Sequence, residues 1–342
     1  MPSTPWRVGE VMALRVGVVG FGAMGRQHVR VLGTLDGVEF VGAVDPAREV
    51  LGGLPEEQRL ATIDELIARR LDYCVISVPA FLHEEVGTRM ASAGVPSLIE
   101  KPLAMDAPSA ERLATAFEKA GVLGAVGHVE RYNAAVRSAR ERIQQGDLGE
   151  VFQVSTRRQG PFPSRISDVG VVKDLATHDI DLTSWVADSG YRSVSAVVTH
   201  RSGRATEDGV LVAGTLERGT IVSHAVNWLA PFKERETTVI GERGAFVIDT
   251  LAADLTFYSS GHRESAWEEL AHFRGVREGD VTRIALDKPE PLLMEHIAFR
   301  DAVLGQPSVI VSLSEGVEVM RVADAVIAAA QSGHAIDVGD IG

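Results

Sequence analysis

Lys101, Asp174 and His178 stand in settings of this 342-residue sequence where an ammonium, a carboxylate and an imidazole could handle a proton. Lys101 stands in Glu100-Lys101-Pro102, directly after the apolar run 95–99. An ammonium there can hydrogen-bond an oxygen that gains or loses charge. A surface lysine paired with Glu100 is the alternative. Asp174, His178 and Asp181 recur at spacings of four and three, which predicts a shared face on a helix over 174–187. Leu175, Leu182 and Val186 would form its adjacent apolar face. A carboxylate beside an imidazole orients the ring and favours its protonated form, so His178 could exchange a proton with a substrate hydroxyl. The competing reading makes Asp174 an N-cap and His178 an interior polar group. No second histidine stands at ligand spacing, so no metal site is expected.

A second motif supplies a partner for that chemistry. Gly20-Phe21-Gly22-Ala23-Met24-Gly25 is a GxGxxG pattern that follows the apolar run 14–20 and opens a helix expected over 26–35. Asp45 falls twenty residues after Gly25, at the end of the next expected strand, 38–44. In a dinucleotide site Gly20 permits the tight turn, Gly22 admits the pyrophosphate, and Gly25 allows close helix–strand packing. The helix N-terminus then offers free N–H groups and a positive dipole end. Asp45 would accept from the adenosine ribose and repel a 2′-phosphate, favouring NAD over NADP, with Arg48 nearby to soften the preference. Pro79 and His83 follow the strand 73–78 on the same rim; His83 either contacts the cofactor or caps its own helix. Glu100 and Lys101 close the expected cofactor-binding set. Glycines that merely turn the chain of a non-binding fold are the bland alternative, and strand, helix and acid in register weigh against it.

The elements that must position these residues come in two styles. Up to residue 127, β-branched strands (14–20, 38–44, 73–78, 95–99, 123–126) alternate with helical patterns (63–70, 84–93, 107–120), the signature of right-handed crossovers and a parallel sheet buried on both faces. Beyond about residue 150, strand-like runs at 151–156, 194–200, 210–216, 220–228, 236–241 and 245–249 are separated by turns such as Glu217-Arg218-Gly219. That is the rhythm of antiparallel hairpins. Flanking helices are expected over 134–145, 174–187, 293–304 and 314–330. The fold class is an α/β doubly wound Rossmann domain over 14–127 and an α+β domain with a large, mostly antiparallel open sheet over 128–342, after a tail at 1–13.

Composition fits a globular protein, with 45% hydrophobic and 24% charged residues. Forty-seven acids against 34 Lys and Arg give a net charge of −13, which disfavours nucleic acid as a partner. The single cysteine, Cys74, lies in an apolar run and cannot form an intrachain disulfide. No apolar stretch approaches the ~18–20 residues of a membrane span, and no signal-peptide core precedes residue 14, so a cytoplasmic protein is expected. A large sheet with few helices to cover it predicts a homodimer or homotetramer through that sheet.

In combination these motifs resemble the Gfo/Idh/MocA oxidoreductases, relatives of glucose–fructose oxidoreductase and inositol dehydrogenase. The resemblance runs from residue 14 to the helical ending, and it implies Lys101, Asp174 and His178 as the catalytic group, with His178 the acid/base and Lys101 its polarising partner. Within the family, 127–133 (GHVERYN), 157–168 (RRQGPFPSRISD) and 227–233 (NWLAPFK) are similar to sugar-nucleotide dehydrogenases of the UDP-N-acetylglucosamine 3-dehydrogenase type. Tyr132 stands where phenylalanine is common and Ala134 where proline is usual. The resemblance implies hydride transfer between NAD and a secondary alcohol of a sugar or sugar nucleotide. Its alternatives are an inositol or free-sugar dehydrogenase, a redox-neutral lyase or glycosidase using NAD, and a non-catalytic NAD-binding regulator. A diphosphate would need a local positive cluster on this acidic chain. Arg157, Arg158, Arg165, Lys173, Lys233 and Arg235 could provide it, with Arg131 beside them and Tyr132 or Trp228 facing a ring. Solvated loop charges or subunit contacts explain the same residues equally well.

Overall fold

The computed structural model describes residues 13–163, 169–261 and 279–341. Most of the expected tail, and Arg165, lie outside the described residues. The first half forms six strands, β1 (Leu14–Val19), β2 (Val38–Val44), β3 (Arg59–Leu60), β4 (Tyr73–Ile76), β5 (Ser97–Glu100) and β6 (Gly124–Gly127). They are all parallel, in the order β3-β2-β1-β4-β5-β6. Helices α1 (Ala23–Leu32), α2 (Ile63–Ile67), α3 (His83–Ser92) and α4 (Ala107–Ala120) link them. Local chemistry sets the ends of α4: the Asp106 side chain accepts from the Ser109 N–H, and left-handed Gly121 closes the helix. Such an N-cap contributes about 1 kcal/mol. Strand order reverses between β1 and β4, so a ligand crevice opens at the carboxyl ends of these strands. Helix α1 begins three residues before position 26, because the glycine motif itself forms its first turn.

The second half starts with α5 (Ala134–Gln144) and the long strand β7 (Val151–Pro161). A single π turn (Val172–Ala176) leads into α6 (Thr177–Ala187). Strands β8 (Tyr191–Thr199), β9 (Gly209–Leu216), β10 (Ile221–Asn227), β11 (Leu229–Gly241), β12 (Gly244–Asp249), β13 (Asp254–Ser259) and β14 (Val281–Ile284) follow. Helices α7 (Pro291–Val303) and α8 (Leu313–Ser332) and the short β15 (Ile336–Asp337) end the chain. The nine strands run β14-β13-β12-β11-β7-β10-β9-β8-β15. All neighbours are antiparallel except β7 and β10, which the intervening chain brings together in parallel. The hairpin expected at 217–219 joins β9 to β10, and Gly219 turns it at φ +89°.

Helices α5, α6 and α8 cover one face of this sheet, over a core that includes Val154, Ile180, Val212, Val222, Val239 and Val326. His224 is buried between the Tyr191 hydroxyl (2.7 Å) and the Thr156 hydroxyl (2.8 Å). The described residues leave the other face uncovered, and it carries exposed Val197, Leu211, Ile221 and Ile240. The two halves also share a core. Val311, Leu313, Val317 and Met320 pack with Ile99 and Val126 of the first sheet and with Leu103 in the loop after β5, and Phe299 meets Tyr73 edge-on at 5.3 Å. Gly316 makes this contact possible, since a Cβ there would sit 2.6 Å from Val126. Among the described residues no helix is long and apolar enough to cross a membrane.

Candidate active site

The crevice is built from strand ends. At β1, Gly20 adopts φ +90°, and a Cβ would lie 2.6 Å from the Ser77 backbone. Gly25 is tighter, with a Cβ only 2.0 Å from the Gly20 carbonyl. Gly22 is different: nothing stands within 4 Å of a Cβ built there. It caps α1 with no side chain on the first-turn N–H groups and no acid in that turn. A side chain at 22 would fill open space in front of a bare helix N-terminus, which is the fit a pyrophosphate needs. Ala23 and Met24 continue this rim, while the Phe21 side chain is buried in the core and contributes only its backbone. Asp45 accepts from Phe21 N–H (2.7 Å) and Ala47 N–H (2.9 Å), one on each carboxylate oxygen. Its carboxylate is thus fixed beside the glycine turn, where an adenosine ribose would lie.

Pro79 is exposed on the rim, but His83 is not available to a ligand. Its imidazole is buried, with Nδ1 2.9 Å from the Pro102 carbonyl and Nε2 2.9 Å from the Val78 carbonyl. Burial pushes its pKa down. Its ring thus sits between the loop after β4 and the loop after β5, donating to one of the two carbonyls. Glu100 is also turned inward: Oε1 is 2.9 Å from His28 Nε2, and Oε2 accepts from the Lys101 N–H at 3.1 Å. Its pKa lies below the usual carboxylate value; burial opposes the ionised form, and the bond to His28, with the charge on Lys101, outweighs it.

Lys101 crosses to the second half. Its Nζ donates to Asp174 Oδ1 at 2.9 Å and to the Asp174 carbonyl at 2.7 Å. The surface pair with Glu100 is thereby excluded. The shared helical face expected for Asp174, His178 and Asp181 does not form. Asp174 sits inside the π turn, whose extra residue rotates it out of α-helical phase with His178 and toward Lys101. Asp181 is buried against Arg131, Oδ1 to Nη2 at 2.5 Å. His178 thus has no carboxylate partner among the described residues. Its Nδ1 is buried and unbonded, and the pKa lies well below 6.5 because of burial and the cations Lys101, Arg158 and Arg235. This reverses the expected protonated ring: burial and the nearby cations favour the neutral imidazole.

Most of the expected substrate residues are committed elsewhere. Arg131 is held by Asp181 and by Glu315 (2.6 Å), as a buried guanidinium must be. Tyr132 is buried with its hydroxyl 3.3 Å from the Val309 carbonyl. Arg157 and Arg158 are successive on β7 and point to opposite faces. Arg157 lies on the open face with Glu234 (2.7 Å), while Arg158 is buried between Glu130 (2.9 Å) and Asp179 (3.0 Å). Trp228 is buried edge-on to Phe162 at 5.3 Å. Lys173 pairs with Asp324 at 3.0 Å.

Two cations remain accessible on β11: exposed Lys233, and Arg235, which shares Glu130 with Arg158 at 3.4 Å. Arg235 stands directly across from Arg158 in the sheet and within electrostatic reach of both His178 and Asp174. Sequence reasoning missed His128. It follows β6 at the same carboxyl edge as Lys101, a placement that could have flagged it, and its buried Nδ1 has no hydrogen-bond partner and lies 3.9 Å from Asp181.

Comparison with known proteins agrees with this architecture. Residues 14–128 match the oxidoreductase family with an NAD-binding Rossmann fold, and residues 136–247 match the GFO/IDH/MocA C-terminal domain. Inositol 2-dehydrogenase of Leifsonia xyli subsp. xyli is 30% identical over 226 residues, 63% of this chain and 66% of its own length. The chain thus spans about two thirds of that relative. UDP-N-acetylglucosamine 3-dehydrogenase of Acidithiobacillus ferrooxidans is 28% identical over 255 residues, covering 72% and 78% of the two chains. A solved structure of that enzyme, GnnA, superposes with a TM-score of 0.83 at 25% identity, over 94% of this chain and 98% of its own. With both halves matched, the chain belongs to the GFO/IDH/MocA oxidoreductase family, and its first half is the NAD-binding Rossmann domain.

Proposed function

We propose that this protein is a cytoplasmic NAD-dependent dehydrogenase that oxidises a secondary alcohol of a sugar or sugar nucleotide. One observation carries the reading. The Lys101 ammonium, at the end of β5 on the cofactor crevice, is aimed by Asp174 while the neighbouring His178 is kept neutral. Gly20, Gly22, Gly25 and Asp45 would hold the NAD, which supplies the hydride acceptor. His178 takes the hydroxyl proton, as a general base with a depressed pKa can do at pH 7. The Lys101 ammonium stabilises the oxygen as it acquires alkoxide character. Asp174 orients that ammonium and balances its charge. Residues 14–127 serve the cofactor, and 128–342 serve substrate and subunit contact.

Arg235 and Lys233 favour an anionic substrate, such as a UDP-N-acetylhexosamine oxidised at its 3-position, over an inositol. They alternate with Glu234 on β11 and so share a face with Arg158, on the catalytic side of the sheet. The test is NADH absorbance on mixing protein and NAD with UDP-N-acetylglucosamine, UDP-glucose, myo-inositol and glucose. Turnover of the UDP-sugars alone supports the anionic reading, and turnover of the neutral polyols alone refutes it. Lys101→Met should bind NAD normally and lose most turnover; full activity would sink the assignment.

The open face of the nine-stranded sheet is covered by a second copy of the chain in this reading. Exposed Val197, Leu211 and Ile221 form its apolar part, flanked by the Arg157–Glu234 pair, which can complement its own image across a two-fold axis. Light scattering at micromolar concentration should report a dimer or tetramer, and a monomer would refute it.

A further inference from the structure

Behind Lys101 lies a buried polar array that the proposed reaction does not use. His28, in the second turn of α1, and Glu295 and His296 of α7 are fully buried, and Glu100 is nearly so. His28 Nδ1 is 2.9 Å from His296 Nε2, and His28 Nε2 is 2.9 Å from Glu100 Oε1. The two rings meet edge-on, with centroids 5.1 Å apart. Among the described residues, His296 Nδ1 and both Glu295 oxygens are buried without a partner. Polar groups are seldom left this way inside a protein, because each costs about 1–3 kcal/mol. We propose that His28 and His296 are positioning residues that act through Glu100 to hold Lys101 in place.

The direction of the hydrogen bonds supports this. Glu100 accepts as a carboxylate, so His28 Nε2 carries the proton toward it. With one proton on each ring, His28 Nδ1 accepts from His296 Nε2, so the donors of α7 and α1 form a relay that ends on Glu100. The other oxygen of that carboxylate accepts from the Lys101 N–H, so the array ends on the backbone of the residue whose ammonium meets Asp174. Three elements converge there: the helix that opens the nucleotide cradle, the strand that delivers Lys101, and a helix from the second half. The array fixes the root of the lysine side chain, while Asp174 fixes its tip. Removing the His296 donor frees the His28 ring to turn, which weakens its hold on Glu100 Oε1, and the Lys101 backbone follows.

The inference rests on Lys101 as a working group, so its test does not depend on turnover. NAD-loaded protein is treated with an amine-reactive ester, and labelling of Lys101 is followed by mass spectrometry with exposed Lys119 and Lys233 as references. His296→Leu should raise the relative rate at Lys101 about fivefold, the lower part of the range expected for coupled neighbours. His296→Gln, whose amide can donate from the Nε2 position, should bring it back to within about twofold of wild type. Should His296→Leu fail to fold, His28→Asn removes the donor to Glu100 while keeping an acceptor for His296, and it should reproduce the rise. An unchanged Lys101 rate in a folded variant, or no recovery with Gln, overturns the proposal. Failure of the dehydrogenase reading would appear only in the NADH assay, so the two outcomes are separable.

Discussion

A methyl group added at Gly22 separates cofactor binding from folding. An alanine Cβ there meets no heavy atom within 4 Å, so the protein does not resist it. The stability cost of Gly22→Ala is limited to a poorer N-cap, about 1 kcal/mol or less. In the proposed cofactor site the same methyl occupies the space through which a pyrophosphate would reach the first-turn N–H groups of α1. Overfilling a fitted contact by one methyl costs about 1–3 kcal/mol, which is about 5- to 150-fold in NADH affinity. Gly25→Ala, three residues on, has the opposite signature. Its Cβ would lie 2.0 Å from the Gly20 carbonyl, a backbone atom with nowhere to go, so the helix must move off the strand. About 2–3 kcal/mol of lost stability follows, or a Tm lower by about 4–12 °C. Calorimetric titration with NADH and a thermal melt read both quantities on each variant. Wild-type NADH affinity in folded Gly22→Ala would refute the placement of the pyrophosphate.

Three further outcomes are expected. If Asp45 meets the adenosine ribose as proposed, Asp45→Asn removes the charge there, so the NADH-to-NADPH affinity ratio, measured by nucleotide fluorescence, should fall by about tenfold or more; an unchanged ratio would dissociate Asp45 from the ribose. Because His178 is held well below pH 6.5, kcat/KM for alcohol oxidation should be flat from pH 6.5 to 8.5, and His178→Asn should lose about 100- to 10,000-fold. A limb rising through pH 7 that vanishes in the His178 variant would contradict the neutral base. Burial pushes the His224 pKa down to about 4, so below the ordinary imidazole value of about 6.5 the unfolded chain takes a proton that the native chain refuses. The native advantage is complete above that value and declines as pH falls toward 4; His224→Gln should therefore lose less Tm than wild type between pH 7 and 5, as scanning calorimetry can check.

Local features were the legible ones. The glycine motif could be read because strand, turn and helix are contiguous, and Lys101 because a charged residue at the end of a buried parallel strand has few places to point. Position within the helix that carries His178 was not legible, since the π turn at Val172–Ala176 has no single-residue signature and displaces Asp174 from its expected phase. The arginines show a different limit. A strand expected to end at 156 leaves Arg157 and Arg158 in a loop, whereas β7 runs on to Pro161 and its two-residue period sends them to opposite faces. A buried, paired arginine and a free one also look alike until the partners arrive from afar, as Asp181 does for Arg131. His28 and His296 are 268 positions apart, and nothing local announces that they touch.

The shared core bears on how the chain is made. The parallel sheet is complete at Gly127, yet Val311, Leu313, Val317 and Met320 form part of its hydrophobic filling. At about 5–20 residues per second, a ribosome needs on the order of 10–40 s to go from Gly127 to Met320. Through that interval the nascent nucleotide-binding half has every strand but an unfinished flank, with Ile99, Leu103 and Val126 lacking their cover. A translation stop before position 311 would release that half with this apolar surface bare, as a client for chaperones and proteases. Helix α8 is thus the latch of the first domain, supplied long after that domain's own strands have been made.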